Sequence, residues 1–131
     1  MVPAMVSMTE TNIIIVEDVP SLAATYKGYL SKDPWTVSLA ASGEEALASI
    51  TAAAPDVAIL DVQLPDITGI EVLRRLRASR IPTEVIVVTS NGSVNLAVEA
   101  MREGANDFLV KPFSPERLRV TVRNAIERQR L

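Results

Sequence analysis

Residues 57–61 read Val-Ala-Ile-Leu-Asp. Four apolar residues follow one another without polar alternation, and an acid closes the run. A strand buried on both faces reads this way, as in a parallel sheet covered on two sides. Residues 13–16 (Ile-Ile-Ile-Val), 85–88 (Val-Ile-Val-Val) and 108–110 (Phe-Leu-Val) repeat the pattern, and 36–40 (Thr-Val-Ser-Leu-Ala) is a weaker fifth case.

Helical stripes lie between these runs. Leu22, Tyr26, Tyr29 and Leu30 fall at i, i+4, i+7 and i+8. Ala46, Leu47 and Ile50 form a second stripe; Val72, Leu73 and Leu76 a third; Ala97, Val98 and Met101 a fourth; Leu118, Val122, Ala125 and Ile126 a fifth. Each can cover one face of a sheet. Ser42, Ser93 and Ser114 stand at helix starts, Pro115 at a first helical position, and Gly104 after the fourth stripe. These are the residue types that cap and stop helices. The alternation of strand and helix, five times over, predicts a doubly wound α/β domain with right-handed crossovers and helices on both faces.

The chain has 131 residues, which is one domain. Hydrophobic residues are 48% and charged residues 22%, the balance of a globular domain. It contains neither Cys nor His. That excludes a disulfide framework, thiolate zinc sites, thiol nucleophiles and Ser-His-Asp triads. Chemistry must run on carboxylates, hydroxyls, Lys or Arg. A net charge of −3 gives no basic footprint, so no direct nucleic-acid binding is expected. No window has the apolar length of a membrane span, and the N-terminus lacks a basic leader. A cytoplasmic location, away from membranes, is expected.

In a doubly wound sheet, ligands bind at the carboxyl ends of the strands. Glu17 and Asp18 follow the first run, Asp61 ends the third, Thr89-Ser90 ends the fourth, and Lys111-Pro112 ends the fifth. The second ends in Ala-Ala-Ser and offers no charge. Three carboxylates brought together either raise a pKa or bind a cation. Hard oxygen ligands suit Mg²⁺. A Lys and a hydroxyl beside it can hold a phosphoryl group, and a carboxylate there can be its acceptor.

Through these residues the chain resembles the response-regulator receiver domains (CheY-like) of two-component signalling. The segments IIIVEDVPS, VAILDVQLPDITGIEVL, VIVVTSNGS and GANDFLVKPFSPERL carry the likeness. It extends over about residues 12–127. Residues 1–11 are then an N-terminal leader, and 128–131 the start of a linker or the C-terminal end. The resemblance implies a five-stranded parallel sheet of order 2-1-3-4-5 with five helices. It implies that Asp61 is the phosphoacceptor, and that Glu17, Asp18, Asp61 and the backbone carbonyl of Gln63 hold Mg²⁺. Thr89 is implied to follow the phosphoryl group, Lys111 to pair with a phosphate oxygen, and Phe108 to be the aromatic switch. The Lys111-Pro112 peptide bond is expected in cis.

Three positions depart from the family pattern. The acidic pair is Glu17-Asp18 where many members have Asp-Asp, which implies that Glu17 reaches Mg²⁺ through water. Phe108 stands where many have Tyr, so the switch must rest on packing. Ser90 and Asn91 follow Thr89, where many have Ala first.

The phosphoryl donor is implied to be a histidine kinase or histidine phosphotransfer protein. The resemblance implies an output face made of the fourth helix, fifth strand and fifth helix. Arg117, Arg119, Arg123, Arg128 and Arg130 leave two readings open: a solvated basic face, or a homodimer contact opposite Glu99, Glu103 and Asp107. The segments VEDVPSLAATYKGYL and KPFSPERLRVTVRNAIER most resemble receivers of NtrC/LuxO-type sigma-54-dependent regulators. That implies sigma-54-dependent transcription as the output of a longer protein, with a stand-alone receiver as the alternative. A haloacid-dehalogenase-type phosphatase fits poorly, since its D-x-D nucleophile follows the first strand, where this chain has Glu17-Asp18-Val19.

Overall fold

The computed structural model describes residues 10–131, so most of the expected leader lies outside the described residues. Ten elements alternate: β1 (Thr11–Val16), α1 (Pro20–Tyr29), β2 (Trp35–Ala40), α2 (Gly43–Ala52), β3 (Val57–Asp61), α3 (Gly69–Ala78), β4 (Glu84–Thr89), α4 (Val94–Arg102), β5 (Asp107–Val110) and α5 (Pro115–Gln129). All strand pairs are parallel, in the order β2-β1-β3-β4-β5.

The unbroken apolar runs find their reason in the packing. In a strand, successive side chains point to opposite faces. Ile14, Val16, Ala58, Leu60, Val85 and Val87 join one core with α2, α3 and Ala100 of α4. Their neighbours Ile13, Ile15, Val57, Ile59, Ile86 and Val88 join the other with α1 and α5. The edge strand β2 is mostly exposed or half-buried, which explains its weaker pattern.

Ser42, Ser93 and Ser114 each accept a hydrogen bond from the third helical N–H, as expected. Two helix starts carried no expectation. Thr68 caps α3 by accepting from Glu71 N, and α1 opens on Pro20 directly after Val19. Gly104 has φ of 104°, the conformation that favours glycine after a helix.

Candidate functional site

Four strand ends and one loop build a cavity of about 450 Å³ at the carboxyl edge of the sheet. Its lining includes Glu17, Asp18, Asp61, Gln63, Ser90 and Lys111. β1 delivers Glu17, whose N–H donates to Ala40 O at 3.0 Å, so its backbone stays tied to β2. The start of α1 fixes the side chain, because Val19 N donates to Glu17 Oε2 at 3.2 Å. β3 delivers Asp61, whose Oδ1 accepts from Gln63 N at 2.9 Å. β5 delivers Lys111, whose N–H donates to Thr89 O at 2.8 Å. The Lys111-Pro112 bond is cis.

Glu17 and Asp61 are only 3% and 4% exposed, while Asp18 is exposed. Lys111 Nζ donates to Glu17 Oε1 at 2.7 Å and to Asp61 Oδ2 at 2.5 Å. It also lies 5.8 Å from the centre of the Tyr26 ring. Burial pushes the Glu17 carboxyl above the ordinary range, and its hydrogen bond with Asp61 adds to this; Lys111 and the Val19 N–H pull the other way. For Lys111, burial acts to lower the pKa, but hydrogen bonds to Asp61 and Glu17 outweigh it, and the ammonium titrates above an ordinary lysine. The lysine is therefore charged near neutral pH.

One oxygen from each of Glu17, Asp18 and Asp61 can be chosen so that all lie within 4.8 Å of one another. All are hard donors, and Mg²⁺ prefers oxygen ligands while keeping some of its waters. The exposed Asp18 leaves that side open to solvent. The residues present fit such an ion.

The response regulator receiver domain model matches residues 13–123. This chain belongs to the response regulator receiver domain family. Regulatory protein LuxO of Vibrio vulnificus is 44% identical to it over 114 residues, which is 87% of this receiver but 25% of that protein. Transcriptional regulatory protein TrcR of Mycobacterium tuberculosis is 38% identical over 116 residues, 88% of this chain and 45% of that one. The receiver thus spans about a quarter of the LuxO relatives and under half of TrcR. Among solved structures, the signal receiver domain of a LuxO repressor protein from Vibrio parahaemolyticus superimposes with a TM-score of 0.90 at 38% identity, over 92% of this chain and 93% of that one. A CheY-like receiver from Methanospirillum hungatei gives 0.88 at 28% identity, over 93% and 98%.

Two of the residues singled out in the sequence do not line the acidic cavity. Thr89 is buried next to Ser90 of the lining, and its Oγ1 accepts from Asn91 N at 3.1 Å. Half-buried Phe108 packs on the α2–α3–α4 core and lines a separate apolar cavity of about 560 Å³ with Val94, Val98, Met101 and Val110.

The arginines of α5 do not form one free basic face. Arg119 Nε lies 2.9 Å and Arg123 3.6 Å from Asp33, Arg128 Nε lies 2.9 Å from Glu84, and Arg130 bonds Thr11. Glu103 faces Arg74 at 3.3 Å. These contacts answer within the chain several of the charges read as candidates for a contact between copies.

Sequence reasoning missed three residues near the site. Tyr26 counted only as a core position, yet its ring packs beside Lys111 and stacks on Phe113 at 5.0 Å. Gly69 lies where a Cβ would be 2.1 Å from Asp61 O. Asp66 accepts from the N–H groups of Gly43 and Glu44, both at 2.8 Å. A glycine opening the third helical stripe was the available sign for Gly69. Nothing local marks the other two, because their partners are far away in sequence.

Proposed function

We propose that this receiver accepts a phosphoryl group on Asp61 from a histidine kinase or histidine phosphotransfer protein. The observation that carries the reading is the pairing of buried Asp61 with Lys111 at 2.5 Å inside a cavity lined by two further acids. With no His among these 131 residues, the phosphohistidine lies outside this domain. Glu17, Asp18, Asp61 and the carbonyl of Gln63 would hold Mg²⁺, which supplies positive charge against the phosphoryl oxygens. Lys111, charged and already beside Asp61, turns from carboxylate to phosphoryl oxygen. Thr89 accepts from Asn91 N, which leaves its hydroxyl hydrogen free to donate to the new group.

Phosphorylation adds negative charge and acceptor oxygens at Asp61. Drawing Thr89 toward them vacates space that Phe108 can fill from its cavity beside α4. The α4-β5-α5 face then shifts between two populations. Asp61→Asn should take up no phosphoryl group from acetyl phosphate with Mg²⁺, as read by intact mass or radiolabel. Full labelling of that variant overturns the assignment.

The LuxO likeness supports sigma-54-dependent transcription as the output of a longer protein. A stand-alone receiver acting through protein contacts is the alternative reading, and the likeness to a CheY-like receiver from Methanospirillum is what favours it. The apolar cavity of α4 and β5 is where a homodimer contact would form. Analytical ultracentrifugation with and without beryllofluoride tests it, with dimer expected only in its presence.

A further inference from the structure

The loop of residues 62–68, between β3 and α3, carries Gln63 and is held at several points. At one end Gln63 N donates to Asp61 Oδ1. At the other, Gly69 N donates to Val62 O at 2.8 Å, folding the loop back on itself. Between them, both oxygens of Asp66 reach across to a different element, accepting at 2.8 Å from Gly43 N and Glu44 N of α2. Ile67 presses on Gly43, where a Cβ would lie 2.4 Å from its Cγ1. The bonds from Glu44 and Gly43 hold the Asp66 carboxyl well below the usual carboxylate range, at about 2.

We propose that Asp66 is a positioning residue for cation binding: by clamping loop 62–68 to the start of α2, it sets where the Gln63 carbonyl is presented, without touching the cation. This rests on the Mg²⁺ reading above. The geometry favours a clamp over an ordinary helix cap. The α2 start already has its own cap in Ser42, whose Oγ accepts from Glu45 N. Asp66 comes from 22 and 23 residues away and uses both oxygens, so it fixes an orientation as well as a contact. The loop is short, and a carboxylate three residues beyond Gln63 limits how far that carbonyl can turn. Residues that orient a metal ligand without binding the metal commonly govern its affinity.

Ser42 provides the comparison, since removing it also weakens the start of α2 but leaves loop 62–68 untouched. Amide chemical-shift titration of the intact chain with Mg²⁺ gives the Kd of wild type, Asp66→Ala, Asp66→Asn and Ser42→Ala. Hydrogen exchange of the Gln63 and Gly69 amides in metal-free protein reads the loop directly. Asp66→Ala should raise the Mg²⁺ Kd about tenfold and speed exchange at both amides. Asp66→Asn keeps one carbonyl acceptor and should fall between, and it serves if the alanine variant fails to fold. Ser42→Ala should leave Kd and those two amides unchanged. An unchanged Kd or unchanged exchange in the Asp66 variants overturns the inference, as does an equal effect from Ser42→Ala. If wild type itself shows no Mg²⁺ response, the Mg²⁺ reading fails instead, and the exchange data alone decide whether Asp66 clamps the loop.

Discussion

Lys111 Nζ lies 2.5 Å from Asp61 Oδ2, joining the ends of β5 and β3 across 50 residues of sequence. The same nitrogen holds Glu17 at 2.7 Å. One cation thus offsets two buried carboxylates. Removing one partner of a buried pair leaves the other charge uncompensated, at a cost of about 3–5 kcal/mol.

Lys111→Met should therefore destabilise the metal-free protein, and the loss should depend on pH. Without the ammonium, the pKa of Glu17, already raised by burial, rises further. A carboxyl whose folded pKa exceeds its unfolded value keeps its contribution below the unfolded pKa and loses it as pH rises through the folded one. Urea midpoints should separate from wild type more at pH 8 than at pH 5. A difference independent of pH would mean that the carboxylates are not what the lysine offsets.

Gly69→Ala tests the close approach behind the site. A Cβ there would be 2.1 Å from Asp61 O and 2.9 Å from Val62 Cα, both backbone atoms. Overpacking costs about 1–3 kcal/mol, and a backbone neighbour that cannot rotate away puts this case at the upper end. Gly43→Ala is the internal comparison: its close contacts are side-chain atoms, Ile67 Cγ1 at 2.4 Å and Val72 Cγ2 at 3.0 Å, and none is backbone. Chemical unfolding should show Gly69→Ala as the costlier of the two. Equal costs would show that the loop after Asp61 yields easily.

The acid limb of stability reads Asp66 in the folded protein. Its folded pKa of about 2 lies below the unfolded value of ~3.9, so its contribution is present above pH ~4 and disappears as pH falls toward 2. Asp66→Asn cannot titrate. Between pH 4 and 2 the variant should lose stability less steeply than wild type, in denaturant titrations at several pH values. The group is exposed, but its shift comes first from a backbone N–H bond, so the slope difference should survive moderate salt.

The fold was legible because burial on both faces leaves an unmistakable mark. Residues 13–16, 57–60 and 85–88 have no polar position, since each side chain enters one core or the other. The acids and Lys111 could be placed because in this topology the residue after a strand is at the ligand edge. What escaped was set by pairs distant in sequence. Asp66 meets Gly43 and Glu44, and Asp33 meets Arg119 across 86 residues; no periodicity encodes either. The arginines of α5 read as one charged face because helix periodicity shows which residues share a side, without showing which acids wait there.

Tyr26 is the remaining distant partner that bears on the site. It is 5% exposed, its ring 5.8 Å from Lys111 Nζ and 5.0 Å from the Phe113 ring. A cation–π contact contributes about 0.5–2 kcal/mol, and an aromatic pair about 0.5–1.5 kcal/mol beyond area burial. Tyr26→Leu keeps an apolar group but loses both, and should cost about 2–3 kcal/mol. Tyr26→Phe keeps the ring and should cost well under half of that. Both contacts also bear on the direction of the lysine stem, so Tyr26→Leu should slow phosphoryl uptake from acetyl phosphate while Tyr26→Phe leaves the rate near wild type. Stability from urea unfolding and initial labelling rates separate the two effects. If Phe and Leu are equally slow, the phenol hydroxyl, and not the ring beneath Lys111, is what the site requires.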